Sequence, residues 1–265
     1  MYILRAVLVS LFLTFPVSGR ACELALVLAV DVSGSVDAGE YRVQMDGLAT
    51  ALRDGVISEA LVRSQAEIIL IQWTGSSRQE VSIPWTRIDS FAAIDSLADR
   101  VAEAPRIWRN YSTAIGEALA FSLRAFDEAG HCTRHLIDLS GDGPSNEGIE
   151  PNTLHEQLRQ AGVTVNAIAI EESEPELTAY FFENVIVGEG AFVETASGFA
   201  DYPARIRRKL LREVTRQSAE FDPVLSPKDK LSPFLVNQQK CVITGTQAVI
   251  TSPPVCDEPR QKTAP

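Results

Sequence analysis

Histidine, paired cysteine and positive charge are all scarce in this chain. Three histidines (His131, His135, His155) and four cysteines (Cys22, Cys132, Cys241, Cys256) are spread over 265 residues, with no C-x-x-C step. A zinc site built on clustered Cys and His is therefore not expected. Also absent are a Gly-x-Ser-x-Gly elbow, a His-Glu-x-x-His pair and a Walker A loop. Each absence weighs against a class of enzyme: serine hydrolase, zinc protease, nucleotide-driven machine. Lys and Arg number 24 against 35 Asp and Glu, for a net charge of −11. Nucleic acid and anionic membrane surfaces are poor partners for such a chain, whereas a cation or a basic partner suits it.

Long apolar runs are missing too. Ala6 to Phe15 is ten mostly apolar residues, too short to span a bilayer. Arg5 precedes it, Pro16 breaks it, and the small residues Ser18, Gly19 and Ala21 follow. This is the pattern of a cleaved secretory peptide over residues 1–21, cut after Gly19 or Ala21. An uncleaved anchor is the alternative. Cys22 invites a lipoprotein reading, but Arg20 fits such a signal badly. The expected location is the periplasm or the outside, with no direct membrane insertion after cleavage. Export and an even cysteine count favour disulfides. Four cysteines allow three pairings, and the spacing does not choose among them.

What remains is ordinary globular composition, 45% apolar and 22% charged. Leu24 to Val30 (LALVLAV) reads as a strand buried on both faces. Asp37 is placed to cap a helix over 39–52, with Tyr41, Met45, Leu48 and Leu52 inward. Strands follow at 66–73 and 79–83, the latter an edge strand ended by Pro84. Helices are expected over 88–101 and 113–125, a strand over 135–139, and a helix over 151–161 stopped by Gly162. A strand at 163–170, a short helix at 176–182, a strand at 191–194 and a basic helix at 199–216 complete the series. Strands alternating with helices predict an α/β fold. Its sheet is doubly wound and mostly parallel, with helices on both faces and one short antiparallel edge strand. The domain spans 22–217. Residues 218–265 hold seven of the fourteen prolines and read as a tail. Within it, 241–251 forms either a small hairpin closed by Cys241–Cys256 or no structure of its own.

The strongest local signal is Asp31-Val32-Ser33-Gly34-Ser35, directly after the first buried strand. Open parallel sheets bind ligands beyond the C-terminal ends of their strands. One carboxylate and two hydroxyls at alternate positions can turn toward one point, and Gly34 allows the bend. Hard oxygens of this kind suit Mg²⁺, Mn²⁺ or Ca²⁺. Thr113, at an expected helix start, and Asp142, after the fourth long strand, are expected at the same sheet edge, where they could complete the shell. Ser112 competes with Thr113, and Asp138 with Asp142. Taken singly, these residues are ordinary caps and turn residues.

Asp-x-Ser-x-Ser after the first strand, a Thr at a helix start and Asp-Gly after a later strand resemble the von Willebrand factor type A domain. The resemblance covers about residues 23–216. It implies that Asp31, Ser33, Ser35, Thr113 and Asp142 form a metal-ion-dependent adhesion site, where an acidic side chain of a protein partner completes the shell. Ser-Gly-Asp-Gly replaces the commoner Thr-Asp-Gly, so Asp142 is displaced by one small residue. The phrases LALVLAVDVSGSVD, TAIGEAL and IDLSGDGPSN resemble more narrowly an uncharacterised bacterial branch of exported A-domain proteins. If the first and fourth strands are parallel neighbours, as in A domains, Cys22 and Cys132 lie at their N-terminal ends. A Cys22–Cys132 bridge follows from that resemblance, with Cys241–Cys256 local.

Three functions are then in play. The first is an exported module that binds a protein partner through a divalent cation. The second is a metal-dependent hydrolase on the same aspartates. The third is an envelope protein whose metal only braces a loop. No general base is evident for the second: His131 and His135 fall at the opposite sheet edge, and His155 is expected to face solvent from a helix. Trp108, flanked by Arg106 and Arg109, either packs under its loop or forms a binding rim. Trp73 and Trp85 are expected in the core or at a strand edge. Arg205, Arg207, Arg208, Lys209 and Arg212 read as a solvated helix face.

Overall fold

The structure, a computed structural model, describes residues 21–220. The expected leader up to residue 20, the tail beyond residue 220 and the Cys241–Cys256 pair lie outside the described residues.

Six strands form one sheet: β1 (Leu24–Asp31), β2 (Glu67–Trp73), β3 (Gln79–Arg87), β4 (Arg134–Gly141), β5 (Val163–Ile170) and β6 (Val193–Ala196). Their order is β3-β2-β1-β4-β5-β6. All neighbours are parallel except β2 and β3. The helices are α1 (Ala38–Leu52), α2 (Gly55–Arg63), α3 (Phe91–Glu103), α4 (Ile115–Ala129), α5 (His155–Gln160), α6 (Leu177–Asn184) and α7 (Tyr202–Glu220).

Alternation along β1 sorts its side chains to two cores. Leu24, Leu26, Leu28 and Val30 join the cluster with α1, α3 and α7. Ala25, Val27 and Ala29 join the one with α4 and α6. Each buried Leu contributes about 2 kcal/mol of apolar transfer. The order reverses between β1 and β4, so the chain leaves their C-terminal ends in opposite directions and opens a crevice there. At the other end Cys22 and Cys132 are disulfide-bonded, with Cα atoms 4.6 Å apart.

Several elements differ from expectation. β3 does not stop at Pro84 but runs to Arg87. Pro84 and Trp85 share one partner position in a bulge, since Leu70 pairs with Ile83 and Ile68 with Thr86. An edge bulge is where a residue without an N–H is tolerated. Helix α2 was not anticipated; Asp54 caps it by accepting from the Val56 and Ile57 amides at 3.0 and 3.3 Å. The 151–161 helix opens as a 3₁₀ turn over Pro151–Leu154. Asp37 caps α1 as expected, in a reciprocal pair with Glu40. His155 is half-buried rather than solvent-facing, its Nε2 2.9 Å from the Asn184 carbonyl oxygen.

The basic face of α7 is not wholly solvated. Lys209 is entirely buried, with Nζ 2.6 Å from Asp138 Oδ1 and 2.8 Å from Glu213 Oε1. Arg207 pairs with Asp54, Arg205 with Asp201, and Arg208 with Glu194. Asp138 is thus a partner of Lys209 and no rival of Asp142.

Candidate metal centre

β1 delivers Asp31 to the crevice, and the turn after it folds back on that carboxylate. The Ser33 amide donates to Asp31 Oδ1 at 2.7 Å. Ser33 Oγ and Ser35 Oγ lie 3.1 Å apart. Ser35 Oγ donates to Asp142 Oδ1 at 2.7 Å. Asp31, Ser33, Ser35 and Asp142 are therefore joined in one hydrogen-bonded chain. Asp31 and Ser33 are fully buried, Asp142 nearly so, and Ser35 faces solvent.

Thr113 lies on the adjoining loop, outside that chain. It precedes α4 by two residues instead of opening it. Its backbone is committed elsewhere: its N–H donates to Asn146 Oδ1 at 2.9 Å, and its carbonyl accepts the Asn146 N–H at 2.9 Å. The two loops meet at Gly34, whose N–H donates to the Tyr111 carbonyl at 2.7 Å. A Cβ there would sit 3.2 Å from that oxygen, so glycine lets the loops approach this closely without displacing either. Thr113 is buried, whereas Ser112 is exposed and gives its carbonyl to Thr74 Oγ1 at 2.9 Å.

Two observations bear on a cation. Asp31 Oδ2 is buried and has no hydrogen-bond partner, a costly state for a carboxylate oxygen. The space beside it is kept open by Gly141, where a Cβ would stand 3.3 Å from Oδ2. The small residue that displaces Asp142 in sequence is thus the one that leaves room at Asp31. Burial first, then the charge of Asp142, raises the Asp31 carboxyl to about 8. Asp142 is also raised, chiefly by burial, while its bond from Ser35 opposes the rise. Two carboxylates that resist ionisation together and three hydroxyls form a set of hard donors that fits a divalent ion.

Some contributors carry no motif. Gln44 of α1 is fully buried; its Nε2 donates to the Asp31 carbonyl at 3.4 Å and its Oε1 accepts from Ser140 Oγ at 3.3 Å. The signal was a Gln on the inward face shared by Tyr41, Met45 and Leu48. Arg106 Nη2 donates to the Val32 and Ser33 carbonyls at 3.1 and 2.8 Å. His131 and His135 lie at the opposite sheet edge, as expected. Trp108 is half-buried, packed against the core cluster that contains α1, α3 and α7. Trp73 is fully buried, and Trp85 Nε1 donates to the Ala125 carbonyl at 3.1 Å.

Residues 21–218 match the family described as protein of unknown function, DUF1194. The chain belongs to that family. Its fold is that of von Willebrand factor type A domains. Proximal thread matrix protein 1 from the mussel byssus is similar, with a TM-score of 0.56 at 17% identity over 72% of this chain and 48% of that one. A structure of the same mussel protein with a zinc-occupied MIDAS motif, the metal-ion-dependent adhesion site, gives 0.55 at 16% identity over 74% and 46%. The von Willebrand factor type A structure from Catenulispora acidiphila gives 0.51 at 20% identity over 72% and 43%. This chain thus spans less than half the length of each of them. No curated protein matches it in sequence. Among the described residues, no helix of this DUF1194 chain is long and apolar enough to cross a membrane. Its disulfide fits an oxidising, exported setting.

Proposed function

We propose that this DUF1194 protein is an exported binding module that recognises a protein partner through a divalent cation. Asp31, Ser33, Ser35, Thr113 and Asp142 would hold Mg²⁺, or Mn²⁺ or Ca²⁺ in its place. The observation that carries this reading is the unpartnered Asp31 Oδ2 beside the gap kept by Gly141. The zinc-occupied site in the mussel protein of the same fold supports it.

A bound divalent ion supplies Lewis acidity and positive charge, and with only two protein carboxylates around it a third carboxylate is attracted. The chain's own residues do the rest. The Ser33 amide orients Asp31, Ser35 orients Asp142, and Gln44 fixes the end of β1 from below. Exposure of Ser35 beside buried Asp31 opens the centre to solvent on the Ser35 side. An acidic side chain from a partner is the occupant proposed for that side.

The test is calorimetric titration of the protein with Mg²⁺ and Mn²⁺, beside Asp31→Ala and Asp142→Ala. Saturable binding lost in both variants is expected. Absence of binding in the native chain, with the fold intact by circular dichroism, overturns the metal-dependent reading.

A further inference from the structure

The loop between α3 and α4 walls one side of this centre, and it is basic in an acidic protein. It carries Arg106 and Arg109, and Arg78 stacks 3.8 Å over the ring of its Tyr111. Arg106 reaches the carbonyls of Val32 and Ser33, within the motif itself. Burial, then the nearby charge of Arg109, lowers the Arg106 guanidinium. Arg109 is exposed. Among the described residues, none of these three arginines has a carboxylate within ion-pair distance. By contrast Arg53, Arg205, Arg207 and Arg208 are all paired. Asp31 and Asp37 offset part of the Arg106 charge from a distance, but like charges gathered with no direct ion pair still favour an anionic group joining them.

The loop is also held rigidly from beneath. Gln72, fully buried in β2, donates to the Pro105 carbonyl at 2.9 Å and accepts the Ile107 N–H at 3.0 Å. The Tyr41 hydroxyl donates to the Ala104 carbonyl at 2.9 Å. Thr74 Oγ1 donates to the Ser112 carbonyl at 2.9 Å. The 104–112 segment is therefore preset rather than free to reorganise, which lowers the entropic cost of binding. Glu40 and Glu172 also bear on Asp142 and repel an acidic ligand. Attraction is left to the arginine loop.

We infer that the Arg78–Arg106–Arg109 loop forms an anion rim that selects a partner segment carrying a second acidic side chain beside the one that meets the metal. The inference rests on the reading of the centre given above. Arginine suits the role because its planar fork matches a carboxylate through two hydrogen bonds. Exposed Arg109 is the residue free to offer that fork, since Arg106 already spends Nη2 on the motif carbonyls.

Two blocked peptides test it in saturating Mg²⁺: Gly-Asp-Gly-Glu-Gly, and the same peptide with Gln in place of Glu. They differ by one charge at constant shape. The Glu peptide is expected to bind about fivefold more tightly, the upper range for an exposed ion pair. Arg109→Ala is expected to remove most of that preference. Arg159→Ala, an exposed change before β5 at the opposite sheet edge, is expected to keep it. Equal binding of the two peptides by the native chain, or a preference that survives Arg109→Ala, overturns the inference. If the Gln peptide binds with Mg²⁺ and the Glu peptide no better, the rim alone is wrong. If Mg²⁺ binds and neither peptide does, the partner-carboxylate reading falls with it.

Discussion

Ser35 Oγ donates to Asp142 Oδ1 at 2.7 Å across 107 residues of sequence. That bond ties the loop after β1 to the loop after β4 and brings the two carboxylates of the candidate centre under one constraint. Ser35→Ala removes one hydroxyl donor of the candidate centre and frees Asp142, while both carboxylates stay. Mg²⁺ affinity is then expected to fall by about tenfold, against about a hundredfold or more for Asp142→Ala. Calorimetry on the two variants gives the comparison.

Gly141 sets the space at Asp31. Gly141→Ala brings a methyl to 3.3 Å from Asp31 Oδ2 and 3.2 Å from Phe181 Cζ. Overpacking of this kind costs about 1–3 kcal/mol. Urea melts should show that loss, and Mg²⁺ should restore less stability to this variant than to the native chain.

Without metal, Asp31 has a folded-state value of about 8 against an ordinary 3.8, chiefly from burial. The folded chain therefore holds a proton that the unfolded chain releases between those values. Its contribution is fully present below about pH 4 and is lost as pH rises toward 8. The metal-free protein should lose stability over that window. The rise in melting temperature caused by Mg²⁺ should be larger at pH 8 than at pH 5.5. Asp31→Asn should flatten the metal-free profile. Thermal melts with and without chelator measure all three.

Lys209 stands between Asp138 and Glu213 in a fully buried cluster. Lys209→Met leaves two buried carboxylates facing each other. Removing one partner of such a cluster costs about 3–5 kcal/mol. Lys209 holds the Glu213 carboxyl down against the burial that raises it, so without the lysine that acid rises further in the folded state and the variant should recover stability as pH falls. Denaturant titrations at pH 7.5 and 5.5 show whether it does.

The Cys22–Cys132 bond closes 110 residues at the end of the sheet away from Asp31. Replacing both cysteines by serine should cost about 2–5 kcal/mol. Mg²⁺ affinity should stay near the native value wherever the variant is folded. Melting temperature and calorimetry separate these two effects.

The alternation of strand and helix, the apolar run ending at Asp31 and the Asp-x-Ser-x-Ser spacing were all legible in the sequence. Each is a local property: burial on both faces needs continuous apolar residues, and a loop of hard oxygens needs them close in the chain. The reach of β3 past Pro84 was not legible, because its tolerance depends on a bulge against β2. Nor was the burial of Lys209, since a helix with many basic residues looks solvated until Asp138 and Glu213 are placed against it. The sequence by itself determined which oxygen donors the candidate centre offers and the strand ends that carry them. Only the tertiary structure decided that Asp138 faces α7 while Asp142 meets Ser35, and that Gly141 keeps the space beside Asp31. It also decided that Gln72 sets the arginine loop. Those outcomes depend on which strands become neighbours and which face each residue turns to, and no single segment of the chain contains that information.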